Sequence, residues 1–240
     1  MEKLTIVTIV KNDNPGLDKT IDSVSNSGIE CEHLIIDGSD HKTSTPCYPK
    51  HLKYFWGIDQ GISDAFNKGI ELSSGKYILF LNAGDELLPN AGQVIGDALK
   101  DDSLDCVWFS VYRILENGHK KIFIPRLKYL RFAMSAPHQG LILRRAVFSE
   151  IGKFPLQKFS MDHYVALRII TRYPKYKIQT FSLPIATYPS GGHSSIGGDW
   201  PFIYNAWNTL RVRPYDFPLA FFANLILIAK SRYSRWITNG

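Results

Sequence analysis

The sequence predicts an α/β protein: a mixed, mostly parallel sheet flanked by helices, with a helical extension at the C-terminus. Three observations predict it. Short apolar runs alternate with amphipathic stretches through the first half, the rhythm of strand and crossover helix. No internal repeat is present, and no linker rich in Pro, Gly or Ser divides the chain. At 240 residues, 45% hydrophobic and 21% charged, the composition is globular, and the length suits one large domain or two small ones. A chain of this size needs no disulfide or structural metal to hold a core.

The elements follow in order. Leu4–Val10 (LTIVTIV) reads as a buried strand. Asp18–Ser27 has helical spacing, with Leu17, Ile21 and Val24 on one face. His33–Asp37 and Lys53–Trp56 are the next strands, Ile62–Leu72 a helix, Tyr77–Asn82 a strand and Ala91–Leu99 a helix. Asp105–Leu115 and Lys120–Ile124 flank Glu116-Asn117-Gly118, a strong hairpin signal. Residues 125–140, with Pro125 and Pro137, read as irregular. Arg145–Gly152 and Asp162–Arg172 read as helices, Lys177–Ser182 as a strand, and residues 189–200 as a Gly/Ser-rich loop.

The net charge of +6 conceals a division. Residues 1–120 hold 11 Lys+Arg against 18 Asp+Glu, and residues 121–240 hold 17 against 4. Two different partners, or uneven charge over solvated faces, both account for the split. The basic residues are scattered and no nucleic-acid signature is present, so nucleic acid is not an expected partner. The three cysteines, Cys31, Cys47 and Cys106, form no CxxC and fit neither a disulfide framework nor a zinc site. A reducing compartment is expected. Met1-Glu-Lys-Leu-Thr lacks the basic and apolar segments of a signal peptide.

Three acids fall where predicted strands end: Asp37 after HLII, Asp59 beyond YFWG and Asp85 after YILFLNAG. Ligand crevices of open parallel sheets lie outside the strand C-termini. One such Asp is ordinarily a turn or cap residue; three at equivalent places favour a shared site. The sequence has no G-x-G-x-x-G after the first strand, no P-loop and no G-x-S-x-G elbow. Dinucleotide dehydrogenases, P-loop NTPases and α/β-hydrolases lose their support. If a nucleotide binds, a divalent cation on Asp85 is the available means of neutralising its phosphates, because hard carboxylate oxygens suit Mg²⁺ or Mn²⁺.

The ordered segments TIVTIVKND, HLIIDGSD, DQGISDAFNKGI, SSGKYILFLNAGD and MDHY resemble the family 2 glycosyltransferases of the GT-A fold, a Rossmann-like mixed sheet. They look closest to the bacterial branch that builds exopolysaccharide, capsule and O-antigen (lipopolysaccharide) chains. The resemblance covers about residues 3–195, and DQGISDAFNKGI with the strand after it is its specific part. It implies the following roles. Thr8, Val10 and Asn12 line the donor base, and Asp37 bonds it. Asp59, Asp64 and Asn67 approach the ribose and diphosphate. Asn82 to Asp85 match the metal motif, with Asp85 as ligand. Asp162 is the general base. His193, in Gly191-Gly192-His193-Ser194, is a candidate second metal ligand. His138 and Gln139 face the acceptor, or form a hydrogen-bonded loop pair. Asn82 and Gly84 stand where the family usually has acids, and Met161 where many members have Glu.

The resemblance further implies a domain over residues 1–212, with a nucleotide-sugar donor half (1–120) and an acceptor half (121–212). Residues 213–240 follow as an amphipathic segment. There FPLAFFANLILIA at 217–229 is too short to span a bilayer and is followed by KSRYSRW. Interfacial binding to an anionic leaflet and packing on the domain or in a dimer are both open. The expected function is an inverting, metal-dependent transferase. It moves sugar from a nucleotide diphosphate sugar, most simply UDP-linked, to a saccharide acceptor, lipid-linked in surface-polysaccharide assembly. The expected place is the cytoplasm, at the inner face of the cell membrane. The alternative, motivated by the missing acids, is a nucleotide-sugar binding protein or a scaffold with little transferase activity.

Overall fold

The structure, a computed structural model, describes residues 3–42, 52–191 and 199–238. Its strands are β1 (Leu4–Val10), β2 (Glu32–Asp37), β3 (Leu52–Trp56), β4 (Tyr77–Asn82), β5 (Glu86–Leu87), β6 (Cys106–Ile114), β7 (Lys120–Phe123), β8 (Leu141–Arg144) and β9 (Ile178–Pro189). Its helices are α1 (Asn14–Asn26), α2 (Ile62–Leu72), α3 (Ala91–Ala98), α4 (Val147–Ile151), α5 (Met161–Ile170), α6 (Trp200–Val212) and α7 (Phe217–Thr238). The strands form one sheet in the order β3-β2-β1-β4-β8-β6-β9-β5, with β7 on β6. The run β3-β2-β1-β4 is parallel. Strand β8 lies antiparallel between β4 and β6, and β9 runs parallel to β6.

Side-chain alternation along the strands builds a core on each face. Val7 and Ile9 of β1 join Ile78 and Phe80 of β4 against Phe66 of α2 and Val165 of α5. Leu4 and Ile6 join Tyr77, Leu79 and Leu81 against Ile95 of α3. Every residue of β1 is buried, which explains why it reads as a continuous apolar run rather than an alternating one. Cys31 and Cys106 are buried core residues; Cys47 lies outside the described residues.

Several boundaries differ from the sequence expectation, for identifiable reasons. Helix α1 begins at Asn14, ahead of the expected Asp18. The Asp13 carboxylate caps it by accepting the Gly16 N–H (2.9 Å), and Pro15 sits in the first turn. Strand β9 runs on past Ser182 to Pro189. Register shifts against Phe109 and Ser110 accommodate Pro184 within it. The irregular segment contains two 3₁₀ turns, Leu127–Tyr129 and His138–Gly140. Helix α6 falls where the sequence signalled nothing beyond a loop; Pro201 in its first turn was the available clue.

The C-terminal segment is one helix of 22 residues, α7. No described helix is long and apolar enough to cross a membrane.

Candidate active site

Strands β1, β2 and β4 end side by side, and the turns after them make the site edge. Val10 pairs with Asp37, and Ile9 with Asn82. Gly38 N–H donates to Val10 O (3.0 Å), Ala83 N–H to Ile9 O (2.9 Å) and Gly84 N–H to Gly16 O (2.9 Å). These bonds stitch the post-strand turns into one surface.

On the β1–β3 side the expected donor residues divide into framework and rim. Thr8 is fully buried, its hydroxyl 2.9 Å from the His33 ring, and Val10 is buried beside Leu17 and Ile35. Asp37 is also fully buried: it accepts the Ser39 N–H (2.8 Å) and the Tyr54 hydroxyl. It shapes the turn that presents Ser39. Asn12 lies on the rim in the left-handed region (φ 55°), which Asn tolerates. Its N–H donates to Ser39 Oγ (2.8 Å), and its side chain exchanges bonds with Asp40. Trp56, unremarked in the sequence reading, is half-exposed beside this turn, with its indole N–H on Ser39 O (3.1 Å).

The polar positions Asp59, Asp64 and Asn67 of the α2 segment have partners within the protein. Asp59 accepts the Gly61 N–H (2.9 Å). Asp64 accepts the Gln60 N–H (3.0 Å), the main reason its carboxyl sits below the usual value, with Lys68 at 3.1 Å adding to the effect. Asn67 exchanges two hydrogen bonds with the Phe154 backbone (3.0 and 2.9 Å). Its amide joins α2 to the loop that leads into α5.

Asn82, Asp85, His138, Gln139 and Asp162 converge. Asp85 is almost wholly buried, and its Oδ2 accepts the Asn82 N–H (2.8 Å). The Thr20 hydroxyl donates to the Asp85 carbonyl (2.7 Å), fixing the turn on α1. His138 lies 3.5 Å from Asp162 Oδ2 through Nδ1 and 3.4 Å from Asn82 Nδ2 through Nε2. The Phe66 ring meets the imidazole edge-on, 5.9 Å between centroids. Gly140 closes the His138 turn against β6: a Cβ there would lie 2.2 Å from Phe109 O, so only glycine fits.

The electrostatics follow from burial and these contacts. Burial pushes the Asp85 carboxyl up to about 6, against the downward pull of His138, the Asn82 N–H and Gln139. For Asp162 burial also pushes upward, but His138 and the His163 N–H (2.9 Å) outweigh it and hold the carboxyl below its usual value. For His138 burial pulls down, yet Asp162 and Asp85 raise it overall. His163, fully buried with Nε2 2.6 Å from Leu130 O, is pushed down to about 4 by burial and stays neutral at pH 7.

Among the described residues no three His, Cys, Asp or Glu side chains form a metal cluster, and His193 lies outside the described residues. Two hard-oxygen groups are present: the Asp85 carboxylate and Asn82 Oδ1, a buried oxygen with no hydrogen-bond partner. This pair fits a cation that arrives with a diphosphate and keeps waters, as Mg²⁺ does. Gly84 has φ +90°. A side chain there is strained, which explains why the turn has no acid at that position.

A parallel four-strand edge, continued by antiparallel strands, with acids in the turn after β4 and at the head of α5, is the GT-A type of fold. Residues 5–164, about two thirds of the chain, match the profile of Glycosyl transferase family 2, and the chain belongs to that family. Among curated proteins, a PGL/p-HBAD biosynthesis glycosyltransferase of Mycobacterium tuberculosis is 27% identical over 136 residues, 52% of each chain. An uncharacterized glycosyltransferase of the same species is 26% identical over 166 residues, 64% of this chain and 63% of its own. The chain therefore spans about half to two thirds of the curated relatives it matches. Two solved structures share the fold. S. aureus TarS 1-349 in complex with UDP-GlcNAc has a TM-score of 0.66 at 14% identity, over 88% of this chain and 67% of that one. The mannosyltransferase PcManGT from Pyrobaculum calidifontis, in complex with GDP-Man and Mn²⁺, has a TM-score of 0.63 at 15% identity, over 98% and 83%.

Proposed function

We propose that this chain transfers a sugar, with inversion, from a nucleotide diphosphate sugar to a saccharide acceptor. UDP is the nucleotide of this reading, supported by the S. aureus neighbour, whose structure is in complex with UDP-GlcNAc. The observation that carries the reading is the convergence of Asn82, Asp85, His138 and Asp162: His138 lies 3.5 Å from Asp162 and 3.4 Å from Asn82, whose N–H bonds Asp85 (2.8 Å).

The chemistry assigns each group a task. Asp162 is ionised, because His138 outweighs the effect of burial, and it accepts the proton of the acceptor hydroxyl. The acceptor oxygen bonds to the anomeric carbon as the bond to the diphosphate oxygen breaks. A single base on the acceptor side supports one displacement and inversion rather than a covalent intermediate. Asn82 and Asp85 would hold a divalent cation, Mn²⁺ or Mg²⁺. Bound there, it neutralises charge developing on the leaving diphosphate. His138 positions Asp162 and excludes water from its Oδ2. Asn12 and half-exposed Trp56, tied together through buried Ser39, offer the rim for the nucleoside.

The acceptor class follows from the second half. Its basic excess and exposed apolar C-terminal helix support a lipid-linked saccharide at the inner face of a membrane, as in bacterial surface-polysaccharide assembly. Titration of UDP with Mn²⁺ into wild type and Asp85→Ala tests the donor site: metal-dependent affinity lost in the variant supports it, and equal affinity refutes the role of Asp85. Turnover of UDP-sugars on lipid-linked acceptor tests the rest, with Asp162→Asn expected inactive. A nucleotide-sugar binding role has one observation in its favour, the turn that offers a single acid. Donor binding without turnover across a panel of sugars and acceptors would establish it.

A further inference from the structure

We propose that the outward faces of α6 and α7, together with the basic turn at residues 126–131, form a surface that seats the protein on an anionic lipid bilayer. This deepens the reading of a lipid-linked acceptor; the binding itself does not depend on that reading.

Helix α7 has two faces. Ala220 and Asn224 face inward, and Asn224 Nδ2 donates to Phe132 O (2.6 Å). Leu219, Phe222 and Ile226, at the 3–4 spacing of one helix face, are 61%, 63% and 56% exposed. Helix α6 does the same: Asn208 and Thr209 are buried, while Trp200, Ile203 and Trp207 are about half-exposed. Arg232 bonds Asp199 through Nε (2.8 Å), clamping the far part of α7 to the start of α6. The two stripes thus belong to one antiparallel hairpin.

Charge selects the occupant. Arg126, Lys128, Arg131, Arg211 and Lys230 are exposed, and none forms an ion pair with a carboxylate among the described residues. The sequence has no acid from Asn117 to Ser149 and none from Phe217 to Gly240. A second copy of this surface would bring like charges together. Anionic headgroups complement the basic residues while the acyl region takes the apolar stripes. Tryptophans suit the boundary between the two. No described helix can cross, so the hairpin lies in the interface plane.

The surface is also joined to the proposed base. Ser160, in the left-handed region (φ 55°), precedes the first turn of α5, which carries Asp162. It is held by α6 on both sides: Asn208 Nδ2 donates to its carbonyl (2.7 Å), and its hydroxyl donates to Pro201 O (3.0 Å). Seating α6 on a bilayer brings the acceptor-side carboxylate close to lipid-borne substrate.

The test is flotation of the full chain with phosphatidylcholine vesicles, and with the same vesicles containing about one third phosphatidylglycerol. Wild type is expected to float with the anionic vesicles only. Phe222→Glu/Ile226→Glu and Lys128→Glu/Arg131→Glu should each lower partitioning about tenfold or more, with melting temperatures unchanged because the sites are exposed. Absence of wild-type flotation, or equal flotation of wild type and variants, overturns the proposal. So does a concentration-dependent dimer, by sedimentation, that Phe222→Glu/Ile226→Glu abolishes without any vesicle binding. Thermal shift with UDP and Mn²⁺ on the same proteins separates the two readings: flotation without nucleotide binding keeps the membrane surface and removes the transferase.

Discussion

His138 stands 3.5 Å from Asp162 through Nδ1, while its other ring nitrogen lies 3.4 Å from the Asn82 amide. One ring therefore links the turn after β4 to the head of α5, elements 80 residues apart in sequence. It lowers the Asp162 carboxyl against the effect of burial.

Replacing His138 by Gln should reduce kcat about 10²-fold with little change in donor KM, because the base loses its orientation. The pH profile distinguishes this from simple unfolding. In the proposed role Asp162 works as a carboxylate, and its depressed value should keep activity full down through the usual carboxylate range. Without His138, burial is left to push the carboxyl up, so the acid limb of kcat/KM should move to higher pH. An unmoved limb refutes the coupling.

Asp85 should trade stability for binding. Its folded value is about 6 against 3.8 for the free side chain. Between those values the native state holds a proton that the unfolded chain releases. Stability is thus highest below that window and falls as pH rises through about 6. At pH 7 the ionised carboxylate costs up to roughly 3 kcal/mol. Asp85→Asn should raise the melting temperature at pH 7, flatten its dependence on pH, and abolish Mn²⁺-dependent UDP binding. Calorimetric melts between pH 5 and pH 8 check the first two.

The two missing acids of the turn should respond differently to restoration. Asn82→Asp places a carboxylate beside Asp85 in a compatible backbone, and Mn²⁺ affinity should rise with donor present. Gly84→Asp must adopt φ +90°, at a cost of about 1–2 kcal/mol, and should destabilise without gaining metal. Isothermal titration of both variants against wild type measures the difference.

Gly140→Ala should destabilise by about 1–3 kcal/mol, because its methyl meets the Phe109 carbonyl. The shift of the 3₁₀ turn should also lower kcat, since His138 opens that turn. Denaturant melts and turnover of the same variant report the two effects.

The parallel half was legible because its signals are local. LTIVTIV, YILFLN and ISDAFNKGIEL carry period and length in their own residues, and their predicted bounds match β1, β4 and α2. Strand β9 runs past the expected end at Ser182 because the register shift that admits Pro184 is set by its partner β6. Helix α6 was missed because its start adjoins a Gly/Ser-rich stretch. At the site, motif positions located the Asp85 and Asp162 neighbourhood. Hydrogen-bond partners are invisible in the sequence: those of Thr8, Asp37 and Asn67 within the protein appear only in the fold. The link from His138 to Asp162 is tertiary, and no spacing encodes it.

The central position of β1 has a consequence for how the molecule opens. It is bonded on both edges and covered on both faces, so its amides should exchange with deuterium only on global unfolding. The proposed base, Asp162, instead heads α5, whose approach through Ser160 is held by α6. Local opening of α6 should free the Ser160 carbonyl and hydroxyl, and the α6 amides should exchange long before those of β1. The nucleotide would then meet the last part of the molecule to loosen, and the acceptor one of the first.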